Sequence, residues 1–197
     1  MVSQRERSVR TVAAIVAAGR ALMSEHGYNA VTVDAVVARA GVAKGAFYHH
    51  FPSKKALLDA VVDELQGEIA DELRARQRPY PLTANDLAEI LEDYLRSAAS
   101  PGRRRLILID GPEVLGWERW REIDNNHFAG MTHAAIAMIM PAGAGDPAPR
   151  VEAATRLVLG AVMEAALATG RAEAPGQLAA QFGAVLRDLL TGLTHNA

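Results

Sequence analysis

Apolar residues recur three and four positions apart along most of the chain, which is the period of amphipathic α-helices. Gly and Pro interrupt this pattern and divide the chain into about nine helices. The predicted helices span about residues 8–26, 32–40, 43–51, 53–78, 85–97, 103–109, 112–140, 150–169 and 175–193, with a loop at Pro141–Pro149. Because no strand-like alternation or internal repeat accompanies them, the predicted fold class is all-α.

Two short helices near the N-terminus form the most informative part of the pattern. Thr32 is a candidate N-cap for the first, and Gly41, which can adopt a positive φ, ends it. In the second, Phe47 and Phe51 lie four residues apart and are expected to point inward. The outer surface of that helix is then formed by Lys44, Gly45, Ala46, Tyr48, His49 and His50. This arrangement is typical of a helix-turn-helix whose second helix contacts DNA.

The outward residue types suit nucleic acid. Lys44 can donate to guanine O6 and N7 or to a phosphate, and Ala46 can pack against a thymine methyl group. Tyr48 and the two histidines can hydrogen-bond to phosphates or base edges. Lys54 and Lys55, at the start of the following helix, suit phosphates.

From Gly41 to Lys54 the sequence reads Gly-Val-x-Lys-Gly-x-Phe-Tyr-x-His-Phe-x-x-Lys. Over residues 8–58 the chain resembles the TetR family of bacterial transcription regulators, and beyond them it is similar in its layout of helices. The resemblance implies a three-helix DNA-binding domain (the head, residues 1–54) joined to a larger helical domain for effector binding and dimerisation (the body, residues 55–197). It implies DNA contacts at Thr32, Val33, Lys44, Gly45, Ala46, Tyr48, His49, His50 and Lys54.

Two residues depart from the family pattern or complicate it. Ala46 stands where many members have a hydroxyl side chain, so a hydrogen bond to DNA is replaced by a methyl contact. Asp34 lies near the start of the first short helix, where it favours the helix dipole but repels a nearby phosphate. Both are expected to alter the operator sequence rather than DNA binding itself.

The net charge of −2 is unevenly distributed. Residues 1–55 hold eight Lys and Arg against three acidic residues, whereas the remainder holds thirteen against twenty. A basic head on an acidic body directs phosphate attraction to one end, although chance surface charge is the alternative. The chain has no cysteine, which excludes disulfides, thiolate nucleophiles and Cys-based zinc sites. Neither a signal peptide nor a membrane span is visible, so a cytoplasmic location is expected.

The last two predicted helices, about residues 150–169 and 175–193, carry more apolar surface than one core requires. The resemblance implies that they pair with their copies in a four-helix interface of a homodimer; completion of a monomeric core is the alternative. In a dimer, two recognition helices can enter successive major grooves about 34–36 Å apart, so the expected operator is palindromic.

A ligand pocket is expected inside the body, among the helices of residues 85–170. Aromatic and Met side chains make adaptable walls, and a histidine among them can orient a ligand. The predicted ligand-binding residues are Tyr94, Ile107, Trp117, Trp120, Ile123, His127, Phe128, Met131 and Met163. Ordinary core packing is the alternative for each, because Met and Trp often fill cores.

These features predict a sequence-specific transcription regulator, a repressor released from its operator by a small, mainly apolar ligand. The alternative is a helical carrier or enzyme whose head only resembles a DNA-binding domain. Metal binding is not expected, because His49 and His50 are adjacent and His127 and His133 are six apart, not four. No catalytic residue, cofactor or glycine-rich phosphate loop is predicted.

Overall fold

The structure, a computed structural model, describes residues 3–141 and 146–194. Over those residues it contains nine α-helices, one π-helical segment and no strand, which confirms the all-α prediction. The elements are α1 (Gln4–His26), α2 (Val33–Ala40), α3 (Lys44–His50), α4 (Lys54–Ala75), α5 (Ala84–Ala98), the π-helical segment (Arg105–Asp110), α6 (Gly111–Leu115), α7 (Trp117–Ile139), α8 (Ala148–Arg171) and α9 (Pro175–Leu193). Residues 142–145 of the predicted 141–149 loop lie outside the described part, and α8 begins at Ala148.

The first three helices pack around a small apolar core, and local caps fix where α2 begins and ends. The Thr32 hydroxyl accepts a hydrogen bond from the Ala35 amide at 3.1 Å, which caps α2. Gly41 ends α2 in the left-handed region, with φ of +67°, and its position lets the chain turn directly into α3. Phe47 and Phe51 are buried, so the inward face predicted for α3 is confirmed.

Helix α4 joins the three N-terminal helices to the rest of the fold. Its N-terminus is capped by Ser53, whose hydroxyl accepts from the Ala56 amide at 3.1 Å. Leu57 packs toward α1, and further along the helix Leu65 and Ile69 are fully buried. Helix α4 contacts α1 as well as α5, α6 and α7, so it packs against both the N-terminal helices and the helices that follow it.

Two elements differ from the sequence prediction. The helix predicted over 112–140 is divided, because Gly116 has a φ of +89° that separates α6 from α7. The short helix predicted at 103–109 is a π-helical segment, and the buried Trp120 indole donates to its backbone at Ile107 O, 2.7 Å away. None of the described helices is both long and apolar enough to cross a membrane.

Candidate DNA interface and ligand cavity

Helix α3 presents its predicted DNA-contacting side chains to solvent. Lys44, Gly45, Tyr48 and His49 are exposed, while Ala46 and His50 are half-buried. The Tyr48 ring packs edge-on against buried Phe47, with 5.2 Å between the ring centroids. The fold therefore fixes the base of the Tyr48 side chain and leaves its hydroxyl end free to contact DNA.

Lys44 is paired within the protein. Its ammonium nitrogen lies 2.7 Å from Asp34 Oδ1 on α2, and both side chains are largely exposed. The hydrogen bond to Asp34, with the charge of that carboxylate, raises the pKa of Lys44. A contact from Lys44 to DNA therefore requires this ion pair to open or to share the ammonium with a phosphate.

Lys54 is placed differently from the prediction that it is a simple phosphate ligand. Its ammonium donates to the backbone carbonyls of Tyr28 at 2.8 Å and Val31 at 2.7 Å, and it lies 4.1 Å from the centroid of the Tyr28 ring. Burial lowers the pKa of Lys54. Two of its three N–H donors thus hold the connection between α1 and α2, and one remains for a phosphate.

The remaining predicted DNA residues lie at the start of α2. Thr32 is exposed and Val33 is half-buried, and the next residue, Asp34, contacts Lys44 at the start of α3. Arg39 and Lys55 are also exposed, and neither forms an ion pair with any described residue. Basic groups around α3 therefore remain available to phosphates even though Lys44 and Lys54 are engaged.

A charged cluster connects the N-terminal helices to the following ones through Glu68 on α4. Arg20 of α1 donates to Glu68 Oε2 at 3.0 Å, and Arg103 donates to the same oxygen at 3.1 Å. The hydrogen bond from Arg20, followed by that from Arg103, keeps the pKa of Glu68 below its ordinary value despite partial burial. Nearby, the Tyr28 amide donates to Asp110 Oδ2 at 2.9 Å. The orientation of α1 is therefore tied to α4 and to the π-helical segment.

A cavity of about 350 Å³ lies between α4, α5, α7 and α8. This volume is at the lower end of the range of small-molecule sites. Most lining residues are apolar, and three arginines follow one another near the end of α4. The lining residues are Leu73, Arg74, Arg76, Arg78, Pro79, Tyr80, Leu82, Leu87, Ile90, Leu91, Tyr94, Asp124, Phe128, Met131, Thr132, Ala135, Met138, Leu159 and Val162.

Asp124 of α7 is a buried carboxylate in the wall of this cavity, with 3% of its surface exposed. The Tyr94 hydroxyl donates to Asp124 Oδ1 at 2.7 Å, and Gln66 Nε2 donates to the same oxygen at 3.2 Å. Burial raises the pKa of Asp124 to about 6 although the Tyr94 hydrogen bond opposes the shift. Burial also raises the pKa of Tyr94.

The cavity contains part of the predicted ligand-binding set. Tyr94, Phe128 and Met131 line the cavity. Six predicted residues do not line it: Ile107, Trp117, Trp120, Ile123, His127 and Met163. Four of these six, the exceptions being Trp117 and His127, are buried in the core, as the alternative interpretation held.

Trp117 and His127 lie outside the cavity for different reasons. Trp117 begins α7 just after the Gly116 break and is 46% exposed. His127 faces α4, where its Nε2 lies 2.9 Å from Asp63 Oδ1 and its ring approaches Gly67. Asp124, three residues earlier on α7, is instead the buried carboxylate in the cavity wall.

Helices α8 and α9 expose an apolar surface away from the core. Leu157 on α8 is 75% exposed, and Val185 and Leu189 on α9 are 56% and 60% exposed. Small residues Gly160 and Ala161 extend the same exposed face of α8. On its other face α8 supplies Leu159 and Val162 to the cavity. One helix thus borders both the cavity and a surface suited to a partner chain.

Helices α2 and α3, joined by a tight turn at Gly41 and with α3 facing solvent, form a helix-turn-helix, which places the chain in that class of DNA-binding proteins. Residues 15–61 match the family model described as bacterial regulatory proteins, tetR family. Residues 84–193 match the model described as tetracyclin repressor-like, C-terminal domain. The two matches together cover most of both parts of the chain.

Individual relatives agree. The Transposon Tn10 TetC protein of Escherichia coli is 28% identical over 137 residues, which are 70% of this chain and 69% of that protein. The HTH-type transcriptional regulator CymR of Pseudomonas putida is 33% identical over 130 residues, 64% of each chain. The crystal structure of a TetR-family transcriptional regulator from Pectobacterium atrosepticum superposes with a TM-score of 0.76, at 28% identity, over 97% of both chains.

The chain belongs to the TetR family of bacterial transcription regulators. Members of this family bind operator DNA and dimerise. They are not enzymes, which sets aside the alternative of an enzyme with a DNA-binding-like head. Within the described ranges, no cluster of His, Cys, Asp or Glu side chains is arranged to hold a metal ion.

Proposed function

We propose that this regulator is a homodimeric repressor, released from a palindromic operator by a small, mainly apolar ligand bound in the cavity. The head, residues 1–54, contacts DNA, and the body, residues 55–197, binds the ligand and the partner chain. The observation that carries the proposal is the exposure of Lys44, Tyr48 and His49 on a helix whose opposite side is anchored by buried Phe47. Such a helix can enter a major groove without rearrangement of the head.

The dimer is proposed to form through α8 and α9. Leu157 and Leu189 are large apolar side chains that water surrounds in a single chain, and a copy of the same surface covers both. A two-fold axis through this surface relates the two α3 helices, so their separation has to match one turn of the duplex, about 34–36 Å. A palindromic operator follows from that symmetry.

Release by ligand is proposed to act through α4. Leu73 and Arg74 line the cavity near the C-terminal end of α4, and Glu68, one to two turns earlier, holds Arg20 of the head. A ligand that favours one position of α4 therefore also favours one position of the head. Because both heads must reach their half-sites at once, a small shift weakens both contacts together.

DNA binding is tested by selection from a pool of random duplexes, followed by affinity measurements on the selected sequence. We expect a palindrome whose half-site centres are about 10 base pairs apart. Tyr48→Ala is expected to weaken operator binding about tenfold or more. Tyr80→Ala is the matched control, because Tyr80 is 86% exposed and lies in the connection between α4 and α5. Selection of no consensus, or equal affinity for the two variants, would contradict the proposal.

The interface is tested by Leu157→Glu and Leu189→Glu, each of which places a charge in the proposed apolar contact. Light scattering during gel filtration is expected to show monomers, or a dimer dissociation constant raised about a hundredfold. Val9→Glu is the control, because Val9 on α1 is 62% exposed. Dimers of unchanged stability in both α8 and α9 variants would exclude this interface.

A further inference from the structure

One carboxylate in the cavity wall forms no hydrogen bond or ion pair with a cationic side chain among the described residues, although Arg121 and His127 lie near enough for their charges to favour its ionised form. Asp124 accepts hydrogen bonds through Oδ1 from two neutral groups, the Tyr94 hydroxyl and the Gln66 amide. Among the described residues, no hydrogen-bond donor or salt-bridge cation meets Oδ2 of this side chain. Asp124 also lines the cavity, so a bound molecule can reach the carboxylate that the protein leaves uncompensated.

The charges of the arginines around the same cavity are each paired with a carboxylate, although the buried Nε of Arg78 has no hydrogen-bond acceptor among the described residues. Arg74 Nη1 lies 2.8 Å from Asp71 Oδ1, and Arg76 and Arg78 each place a nitrogen 2.6 Å from Asp93 Oδ2. Glu89 adds a second carboxylate to Arg78. A ligand anion would therefore compete with carboxylates that the protein already supplies, whereas a ligand cation would displace no hydrogen-bonded or ion-paired cation of the described residues at Asp124.

The remaining walls favour an apolar body beside that charged group. Tyr94 and Phe128 form an edge-to-face pair, with ring centroids 4.9 Å apart, and both line the cavity with Met131. Aromatic faces attract a cation as well as apolar groups. Methionine side chains adapt to different apolar shapes.

We propose that the ligand of this cavity is a protonated amine attached to an apolar, ring-containing body, with the ammonium donating to the carboxylate of Asp124. The inference rests on the proposed function, because it assigns a chemical class to the ligand of the same cavity. Burial of the amine removes the uncompensated charge of Asp124, and the apolar body displaces water from the aromatic walls. Asp124 therefore selects amines over neutral or acidic molecules of the same shape.

Three probes with one common body separate these chemistries: phenylbutylamine, phenylbutanol and phenylbutyrate. Isothermal titration calorimetry on the full-length protein measures the affinity of each. We expect the amine to bind at least about tenfold more tightly than the alcohol, and the carboxylate more weakly than both. In Asp124→Asn the amine is expected to lose about tenfold or more and to match the alcohol.

Asp63→Asn is the control for this substitution. Asp63 lies on α4 and pairs with His127 outside the cavity, so the same loss of one negative charge leaves the preference for the amine unchanged. The comparison of probes on the unaltered protein supplies a result that depends on no variant. Circular dichroism establishes that both variants remain folded.

The outcomes distinguish the inference from the proposed function. If phenylbutyrate or phenylbutanol binds as tightly as the amine, or if Asp124→Asn keeps the amine preference, the assignment of the ligand class is overturned. Release of operator DNA by such a probe would still support the proposed function. If no probe binds, the amine assignment is overturned, whereas operator selection decides DNA binding separately. If the amine binds through Asp124 but leaves operator affinity unchanged, the ligand class stands and ligand-controlled release fails.

Discussion

Replacing Asp124 by Asn is expected to stabilise the protein at neutral pH. The substitution keeps the shape of the side chain and an oxygen that can accept from Tyr94, but it removes the negative charge from a buried position. Burial raises the pKa of Asp124 from 3.8 to about 6. The folded protein therefore binds this proton more tightly than the unfolded chain, and ionisation of Asp124 opposes folding.

The size of the effect follows from that shift. Each pKa unit corresponds to 1.36 kcal/mol, so a shift from 3.8 to about 6 opposes folding by about 3 kcal/mol at pH 7. Weaker hydrogen bonds to a neutral amide reduce the gain, and we expect Asp124→Asn to stabilise by ~2 kcal/mol. For a domain of this length the melting temperature then rises by about 4–8 °C.

The sign of the pH dependence is distinctive. Below the unfolded pKa, Asp124 is protonated in both states and contributes no penalty; as the pH rises toward the folded pKa of about 6, the penalty develops fully. The advantage of Asp124→Asn should therefore be large at pH 7 and small at pH 4. Urea denaturation across this range measures it.

Asp71→Asn on α4 is the matched control, because the Asp71 side chain is 81% exposed. It is expected to change stability little at any of these pH values. An Asp124→Asn protein that is less stable than the unaltered protein at pH 7, or whose advantage is the same at pH 4 and pH 7, would refute the reasoning. Such a result would mean that Asp124 is stabilised as a carboxylate in the folded state.

Three further substitutions probe the head and its connection to α4. Asp34→Asn removes the partner of Lys44 and a charge that repels phosphate, so operator affinity measured by fluorescence anisotropy at low salt is expected to rise about threefold to tenfold. Glu68→Gln removes the carboxylate shared by Arg20 and Arg103, so the fold-change in operator affinity on ligand addition is expected to fall while ligand affinity stays constant. Lys54→Ala leaves two backbone carbonyls without their donor and is expected to destabilise the protein by about 1–3 kcal/mol in urea denaturation.

Each of these substitutions has a control nearby. Glu25→Gln removes a negative charge from the exposed end of α1. If it raises operator affinity as much as Asp34→Asn does, the effect of Asp34→Asn comes from net charge alone and not from its contact with Lys44. Glu64→Gln removes a carboxylate that pairs with Arg20 but not with Arg103. If it abolishes the ligand response as fully as Glu68→Gln, the response does not depend specifically on the contact of Glu68 with both arginines. Lys55→Ala alters an exposed lysine, and equal stability of Lys55→Ala and Lys54→Ala would contradict a structural role for Lys54.

The head could be predicted closely because its sequence signals are local. Thr32 caps α2, Gly41 turns the chain and Phe47 points inward, and each depends on neighbours within a few residues. The Lys44–Asp34 ion pair and the hydrogen bonds of Lys54 join residues ten and more positions apart. Their sequence signals were the charges alone, which do not reveal the geometry.

The cavity was predicted less well because α7 has two apolar stripes. One contains Trp120, Ile123 and His127 and faces the core and α4; the other contains Asp124 and Phe128 and faces the cavity. Helical spacing reveals both stripes but does not reveal which one meets a void, since that depends on the packing of α4 and α5. A lone carboxylate four residues before Phe128, within an apolar stripe, was the signal that could have identified Asp124.

The central claim is that two copies of this chain bind one operator through paired α3 helices and release it when the cavity is filled. Its most direct test is the affinity for the selected palindromic duplex, measured by fluorescence anisotropy over a range of salt concentrations, with and without saturating phenylbutylamine. We expect binding of one dimer per duplex, a linear fall of log affinity with log salt, and at least about tenfold weaker binding with the amine present. Equal affinity for scrambled duplexes, or binding that is independent of salt, would contradict it.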